Sequence, residues 1–143
     1  MKKTLFAFLI STLLFAISCK KDEEVSPEVK FNVTLNGSVE VPANTSTATG
    51  SFVGTYNKTT KVISYTISYN GVTPTAWHIH KGAVGVSGAV IFGLGTTFNT
   101  AYSSTTAALT TEQETDLMAG NYYVNIHSAS KPGGEIRGQL ILQ

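Results

Sequence analysis

Lys61-Val62-Ile63-Ser64-Tyr65-Thr66-Ile67-Ser68-Tyr69 decides the fold class. Ile63, Tyr65, Ile67 and Tyr69 occupy every second position, and mostly small polar residues fill the places between them. Successive side chains of a strand point to opposite faces, so this segment reads as a strand with one face in a core and the other in water. The same texture extends outward. Phe31–Asn36 alternates, and Gly50–Tyr56, Ala76–Lys81, Gly88–Leu94, Asn121–His127 and Glu135–Leu142 are further strands, with Thr100–Thr106 as an eighth candidate. Asn36-Gly37, Asn70-Gly71 and Pro132-Gly133-Gly134 punctuate them as turns. One short helix is predicted near 111–119, with Thr111 as cap, Glu114 closing a capping box, and Leu117 and Met118 docking on the sheet. Strands this short and evenly spaced predict an all-β domain, a Greek-key antiparallel β-sandwich of about seven or eight strands.

The N-terminal region reads as an address. Residues 1–18 place Lys2 and Lys3 before the apolar run Leu5–Ile17, which has the length of a signal peptide and is too short to span a bilayer. The run ends in Ala16-Ile17-Ser18-Cys19, with the chain's single cysteine last. A small residue before a cysteine resembles the lipobox of bacterial lipoproteins, although Ala16 stands where Leu is commoner. That resemblance implies lipidation of Cys19, the lipid bilayer as a partner, and an outer-membrane lipoprotein of the bacterial cell envelope. It also accounts for a lone thiol in an oxidising compartment, where a single cysteine cannot form an internal disulfide. Residues 19–30 then read as the lipidated cysteine and a charged tether, and residues 31–143 as one domain. Lys21-Asp22-Glu23-Glu24 resembles the signal that sends some such proteins to the outer cell surface; a plain solvated linker is the competing reading.

Within residues 31–143, Lys58, Lys61, Lys81, Lys131 and Arg137 balance Glu40, Glu112, Glu114, Asp116 and Glu135. A neutral domain lacks the basic density that phosphate neutralisation requires, so nucleic acid is not an expected partner. An unknown protein or small ligand is expected instead. No serine sits in a Gly-x-Ser-x-Gly elbow, and no carboxylate pair stands at a catalytic spacing, so nucleophilic catalysis has no support.

All three histidines fall in two of the predicted strands, Ala76-Trp77-His78-Ile79-His80 and Tyr123-Val124-Asn125-Ile126-His127. His78 and His80 share a face, opposite Trp77 and Ile79; His127 shares one with Tyr123 and Asn125, opposite Val124 and Ile126. The imidazoles are therefore expected on polar sheet faces. His78, His80 and His127 are the candidate metal ligands, suited to Cu or Zn; three hydrogen-bonding surface histidines are the alternative. Glu40 and Arg137 are expected to form a structural ion pair, with Glu135 as a rival for the arginine.

Four segments together resemble the CHRD domain, first recognised in chordin. They are Leu35-Asn36-Gly37-Ser38-Val39-Glu40-Val41-Pro42, His78-Ile79-His80-Lys81-Gly82 followed by Gly85 and Gly88, Gly120–His127, and Pro132-Gly133-Gly134-Glu135-Ile136-Arg137-Gly138-Gln139-Leu140. The resemblance implies an extracytoplasmic binding or interaction module and brings no settled molecular activity. The order of the His-x-His pair, a Gly-rich turn, a later strand histidine and a C-terminal arginine is also similar to copper/zinc superoxide dismutase. That similarity implies a copper-only dismutase-like oxidoreductase as an alternative function, with His78, His80 and His127 as copper ligands and Arg137 guiding an anion. The bridging histidine, the zinc loop and the disulfide of that family have no counterpart here. A purely structural cell-surface domain is the third reading.

Overall fold

The computed structural model describes residues 27–143, so Cys19 and the expected signal peptide over 1–18 lie outside the described residues. Eight strands form: β1 (Glu28–Asn36), β2 (Thr49–Asn57), β3 (Val62–Asn70), β4 (Pro74–Lys81), β5 (Val90–Gly93), β6 (Tyr102–Thr105), β7 (Tyr122–Ser128) and β8 (Ile136–Gln139). A 3-10 turn at Gly37–Val39 follows β1, and helix α1 (Thr111–Met118) precedes β7. The all-β expectation holds, and Thr100–Thr106 does contain a strand. Of the tether expected over 19–30, residues up to 26 lie outside the described residues, and Glu28 already pairs with Asn57 where the β1 ladder begins.

The strands lie in the order β5-β4-β7-β8-β1-β2-β3-β6, and every pairing is antiparallel. They make one continuous sheet that curls into a half-barrel, where two separate sheets were expected. Its leaves, β5-β4-β7-β8 and β1-β2-β3-β6, face each other across the core and join where Asn36 of β1 meets Arg137 of β8. Connections from β3 to β4, β5 to β6 and β6 to β7 cross between leaves, so strands adjacent in sequence are often separated in the sheet.

Alternation builds the core. Phe31, Val33, Leu35, Phe52, Tyr56, Ile63, Tyr65 and Ile67 point inward from one leaf; Trp77, Ile79, Tyr122, Val124, Ile126 and Ile136 point inward from the other. Trp77 is the joint between them. Its ring packs edge-on to Phe98 at 5.1 Å and Tyr69 at 6.0 Å, and its indole N–H donates to the Gly95 carbonyl at 3.1 Å. A buried indole needs such an acceptor, and the aromatic pairs add to the stabilisation from area burial.

The helix begins one residue earlier in its capping than expected. Thr110, not Thr111, is the cap: its hydroxyl accepts from the Gln113 amide, and the Gln113 side chain accepts from the Thr110 amide. Gln serves at the third helical position as Glu does. Glu114 is thereby free to meet Lys61 at 3.1 Å, while Leu117 is buried on the sheet.

At the seam, Gly138 of β8 lies against β1. A Cβ there would sit 2.5 Å from the Thr34 carbonyl oxygen and 2.8 Å from Leu35 Cδ2, so only glycine allows this approach. Gly138→Ala is expected to destabilise the fold by about 1–3 kcal/mol through overpacking. A fall of several degrees in the thermal midpoint checks this.

Candidate metal centre

β7 is buried along its whole length, and its two faces are buried by different means. Tyr122, Val124 and Ile126 enter the core, whereas Tyr123, Asn125 and His127 face the other side. β4 brings His78 and His80 onto that same side, because His78 lies opposite Asn125 and His80 opposite Tyr123. Register therefore unites the three histidines from strands some fifty residues apart in sequence.

This face is polar, as expected, but it is not open to water. His80 and His127 are 7% and 9% exposed, and only His78 is half-buried. The cover is supplied by the backbone of two loops that sequence periodicity cannot place. Among the described residues the three rings form a group whose ligand atoms all lie within 4.8 Å of one another, without a carboxylate or a thiolate.

Hydrogen bonds fix which nitrogen carries the proton in His80 and in His127. His80 Nδ1 lies 3.0 Å from the Gly88 carbonyl, and His127 Nδ1 lies 2.9 Å from the Pro132 carbonyl. A carbonyl only accepts, so both Nδ1 atoms carry the proton and both Nε2 atoms keep a lone pair in the neutral ring. His80 Nε2 is buried with no hydrogen-bond partner. His78 Nδ1 lies 3.2 Å from His127 Nε2, where it donates to that lone pair. Carbonyl-anchored imidazoles of this kind are the outer-shell arrangement that orients histidine ligands. Gly88 can present its carbonyl only as glycine, since a Cβ would collide with the Lys81 carbonyl.

The local field favours the neutral forms of His78 and His80. Burial is the main cause that holds His78 below the usual histidine range, aided by the neighbouring His127 and His80. His80 is also held down, by burial first and then by His127 and Arg137, against a smaller opposing effect of its bond to Gly88. Neutral imidazole is the form that binds a metal.

Behind the histidines stands a second buried layer. The Tyr123 ring stacks on His80 at 4.9 Å and 7°, and Arg137 Cζ lies 4.2 Å over the other side of the tyrosine. Arg137 Nε donates to Glu40 Oε2 at 2.8 Å, Nη1 to the Val86 carbonyl at 3.3 Å, and Nη2 to Ser87 Oγ at 3.0 Å. Ser87 in turn donates to the Val41 carbonyl at 3.2 Å, and Gly88 N–H donates to the Tyr123 hydroxyl at 3.2 Å. The loop between β4 and β5 is thus tied down over the histidines.

Glu40 and Arg137 do pair, at 5% and 4% exposure. Glu135 does not compete: it accepts from the Ser46 and Ser128 hydroxyls, which hold its carboxyl below the usual range. The anion-guiding role that the dismutase similarity implied for Arg137 is corrected here, because the guanidinium is buried and all three of its nitrogens are engaged. Sequence reasoning missed the Gly88 and Pro132 carbonyls, and no side-chain pattern could have signalled a backbone acceptor.

Removing one charge from a buried pair leaves the other uncompensated. Glu40→Gln is expected to cost about 3–5 kcal/mol on that ground, read by chemical denaturation, and to loosen the loop over the histidines.

The CHRD domain profile matches residues 31–140. No curated protein and no solved structure matches the chain. The match covers β1 from Phe31, the 3-10 turn with Glu40, both histidine strands and the Arg137 strand, which between them make the site. The chain belongs to the CHRD domain family.

Proposed function

We propose that the protein is a lipid-anchored extracytoplasmic interaction module whose CHRD domain holds one copper or zinc ion through His78, His80 and His127. Membership of the family supports an extracellular interaction module. The observation that carries the metal reading is the buried, unpartnered Nε2 of His80 in a group of three imidazoles whose ligand atoms lie within 4.8 Å of one another. A buried polar atom without a partner is costly, and a cation that accepts lone pairs from three rings removes that cost. Nitrogen donors suit both Cu²⁺ and Zn²⁺, and the general order of affinities places copper above zinc. A bound ion would act as a fixed positive charge and Lewis acid beneath the loop between β4 and β5.

The signal segment and Cys19 support a location in the bacterial cell envelope, with acyl chains in the outer membrane and the domain held outward on its tether. Protease treatment of intact cells separates display on the outer surface, where the domain is cut, from a periplasmic position, where it survives. The dismutase alternative would require an exposed cation to attract substrate. Arg137 is buried against Glu40 instead, so binding is the better-supported reading.

Isothermal titration of the purified protein is expected to show one equivalent of Cu²⁺ bound, more tightly than Zn²⁺. His80→Ala and His127→Ala are each expected to weaken binding more than about a hundred-fold, beyond the usual effect of an outer-shell change. Uptake that is absent, or equal in native protein and variants, overturns the metal reading.

Acidity provides a second check. With the folded-state values of His78 and His80 lowered from 6.5, the unfolded chain binds more protons once pH drops below that value. Their contribution to stability is present above about pH 6.5 and is lost as pH falls through the folded values. Metal affinity is expected to fall over the same window, because protons compete for the same nitrogens. Titrations across that range, with and without metal, measure both effects.

A further inference from the structure

An imidazole that binds a metal does so as a neutral donor. Among the described residues no carboxylate or thiolate joins the three rings. The charge of Glu40 is balanced by Arg137 at 2.8 Å, and Glu135 is turned to the hydroxyls of Ser46 and Ser128. A divalent ion held by the rings alone therefore keeps both its charges inside a largely buried site, and uncompensated buried charge is costly. Its coordination is also incomplete. Three protein ligands with an open position is the arrangement of zinc sites that take up one ligand more.

The fold leaves one flank of the cluster uncovered. His80 lies under the Tyr123 ring and the Gly88 carbonyl, and the Pro132 carbonyl holds His127, but His78 is only half-buried. In the ladder of β4 with β5, His78 stands opposite Gly93, and residues paired across an antiparallel ladder share a face. Gly93 is exposed, and a Cβ built there would meet nothing within 4 Å. Ala76, two residues before His78 and so on the same face, is also small. The side chains beside His78 are too small to close this flank.

We propose that the flank between His78 and Gly93 admits a carboxylate from outside the chain, which completes the coordination of the ion held by the three histidines. This rests on the metal reading above and names what the metal is for. One carboxylate oxygen bonds the ion as a water molecule leaves it, and no bond within the protein breaks. A monoanion halves the charge left in the site. A phosphate dianion calls for further cationic donors, and the cations of the neighbouring strands already have partners. Arg137 is held by Glu40, and Lys81 by Asp116 at 2.6 Å and Glu112 at 3.6 Å. In an interaction module the carboxylate belongs to an acidic side chain of the partner protein, and the ion is its docking point; a free small carboxylate is the other source of the same chemistry.

Azide, a monoanion whose bond to Cu²⁺ gives a charge-transfer band, is the spectroscopic probe. Added to the purified protein loaded with Cu²⁺, it is expected to raise that band, and acetate is expected to compete it away while the neutral analogue acetamide does not. A blocked Gly-Asp-Gly peptide that competes like acetate assigns the carboxylate to a protein partner; competition by acetate alone assigns it to a small molecule, and either supports the site. Gly93→Leu is expected to retain the copper and to weaken azide and acetate binding about ten-fold or more by covering the flank. The proposal is overturned by bound copper whose spectrum ignores azide and acetate, by copper retained only as the cuprous ion, or by anion binding indifferent to Gly93→Leu. In each of those cases the metal reading survives, whereas failure to take up any metal overturns both.

Discussion

A guanidinium buried in a protein must be answered by a carboxylate, and much of this molecule is arranged around that requirement. Arg137 projects from β8 at the seam where the two leaves join, and Glu40 reaches it from just beyond the 3-10 turn. The pair fixes the path of the chain between β1 and β2 and, through Val86 and Ser87, that of the loop between β4 and β5. A pair of this kind contributes little net stability, since desolvation offsets the attraction. Its consequence is positional. Hydrogen-bond directions at the guanidinium hold both stretches in place, and the loop between β4 and β5, together with the Pro132 loop, covers the second face of β4 and β7.

The histidine cluster inherits its properties from that cover. On an open sheet face His78 and His80 would be hydrated and would titrate in the ordinary histidine range. Under the loops, desolvation favours the neutral forms of His78 and His80, and the Gly88 and Pro132 carbonyls choose which nitrogen of His80 and of His127 retains its proton. The stack of Arg137, Tyr123 and His80 joins the ion pair directly to the cluster. The polar face thus behaves as a second interior: its contents are satisfied by directed bonds where the core on the other side is satisfied by packing. An ion held there would be bound by a constellation already oriented, which lowers the ordering cost of binding.

Some elements can be read in one dimension and others cannot. The nine-residue ladder of β1 with β2 and that of β2 with β3 are legible because strict alternation over that length admits few other structures. β5 and β8 are shorter than their apolar runs suggest, because Leu94 and Leu140 continue to bury their side chains after the ladders have ended. The helix is legible as a helix but not to the residue, since Thr110 and Thr111 are chemically equivalent caps. Two sheets were expected where there is one. A single backbone pairing between Asn36 and Arg137 makes the difference, and it depends on Gly138 lying against β1 rather than on any periodic signal.

The residue order by itself determined the all-β class, the inward and outward faces of each long strand, the placement of all three histidines away from the core, and the partnership of Glu40 with Arg137. These follow from a period of two and from the scarcity of charge in the domain. The tertiary structure alone decided that β4 and β7 are neighbours in register, that the polar face is roofed, and that Arg137 is sealed inward. Each of those depends on where a distant stretch of main chain comes to rest, and carbonyl groups at Gly88, Pro132, Val41 and Val86 leave no mark on the order of side chains.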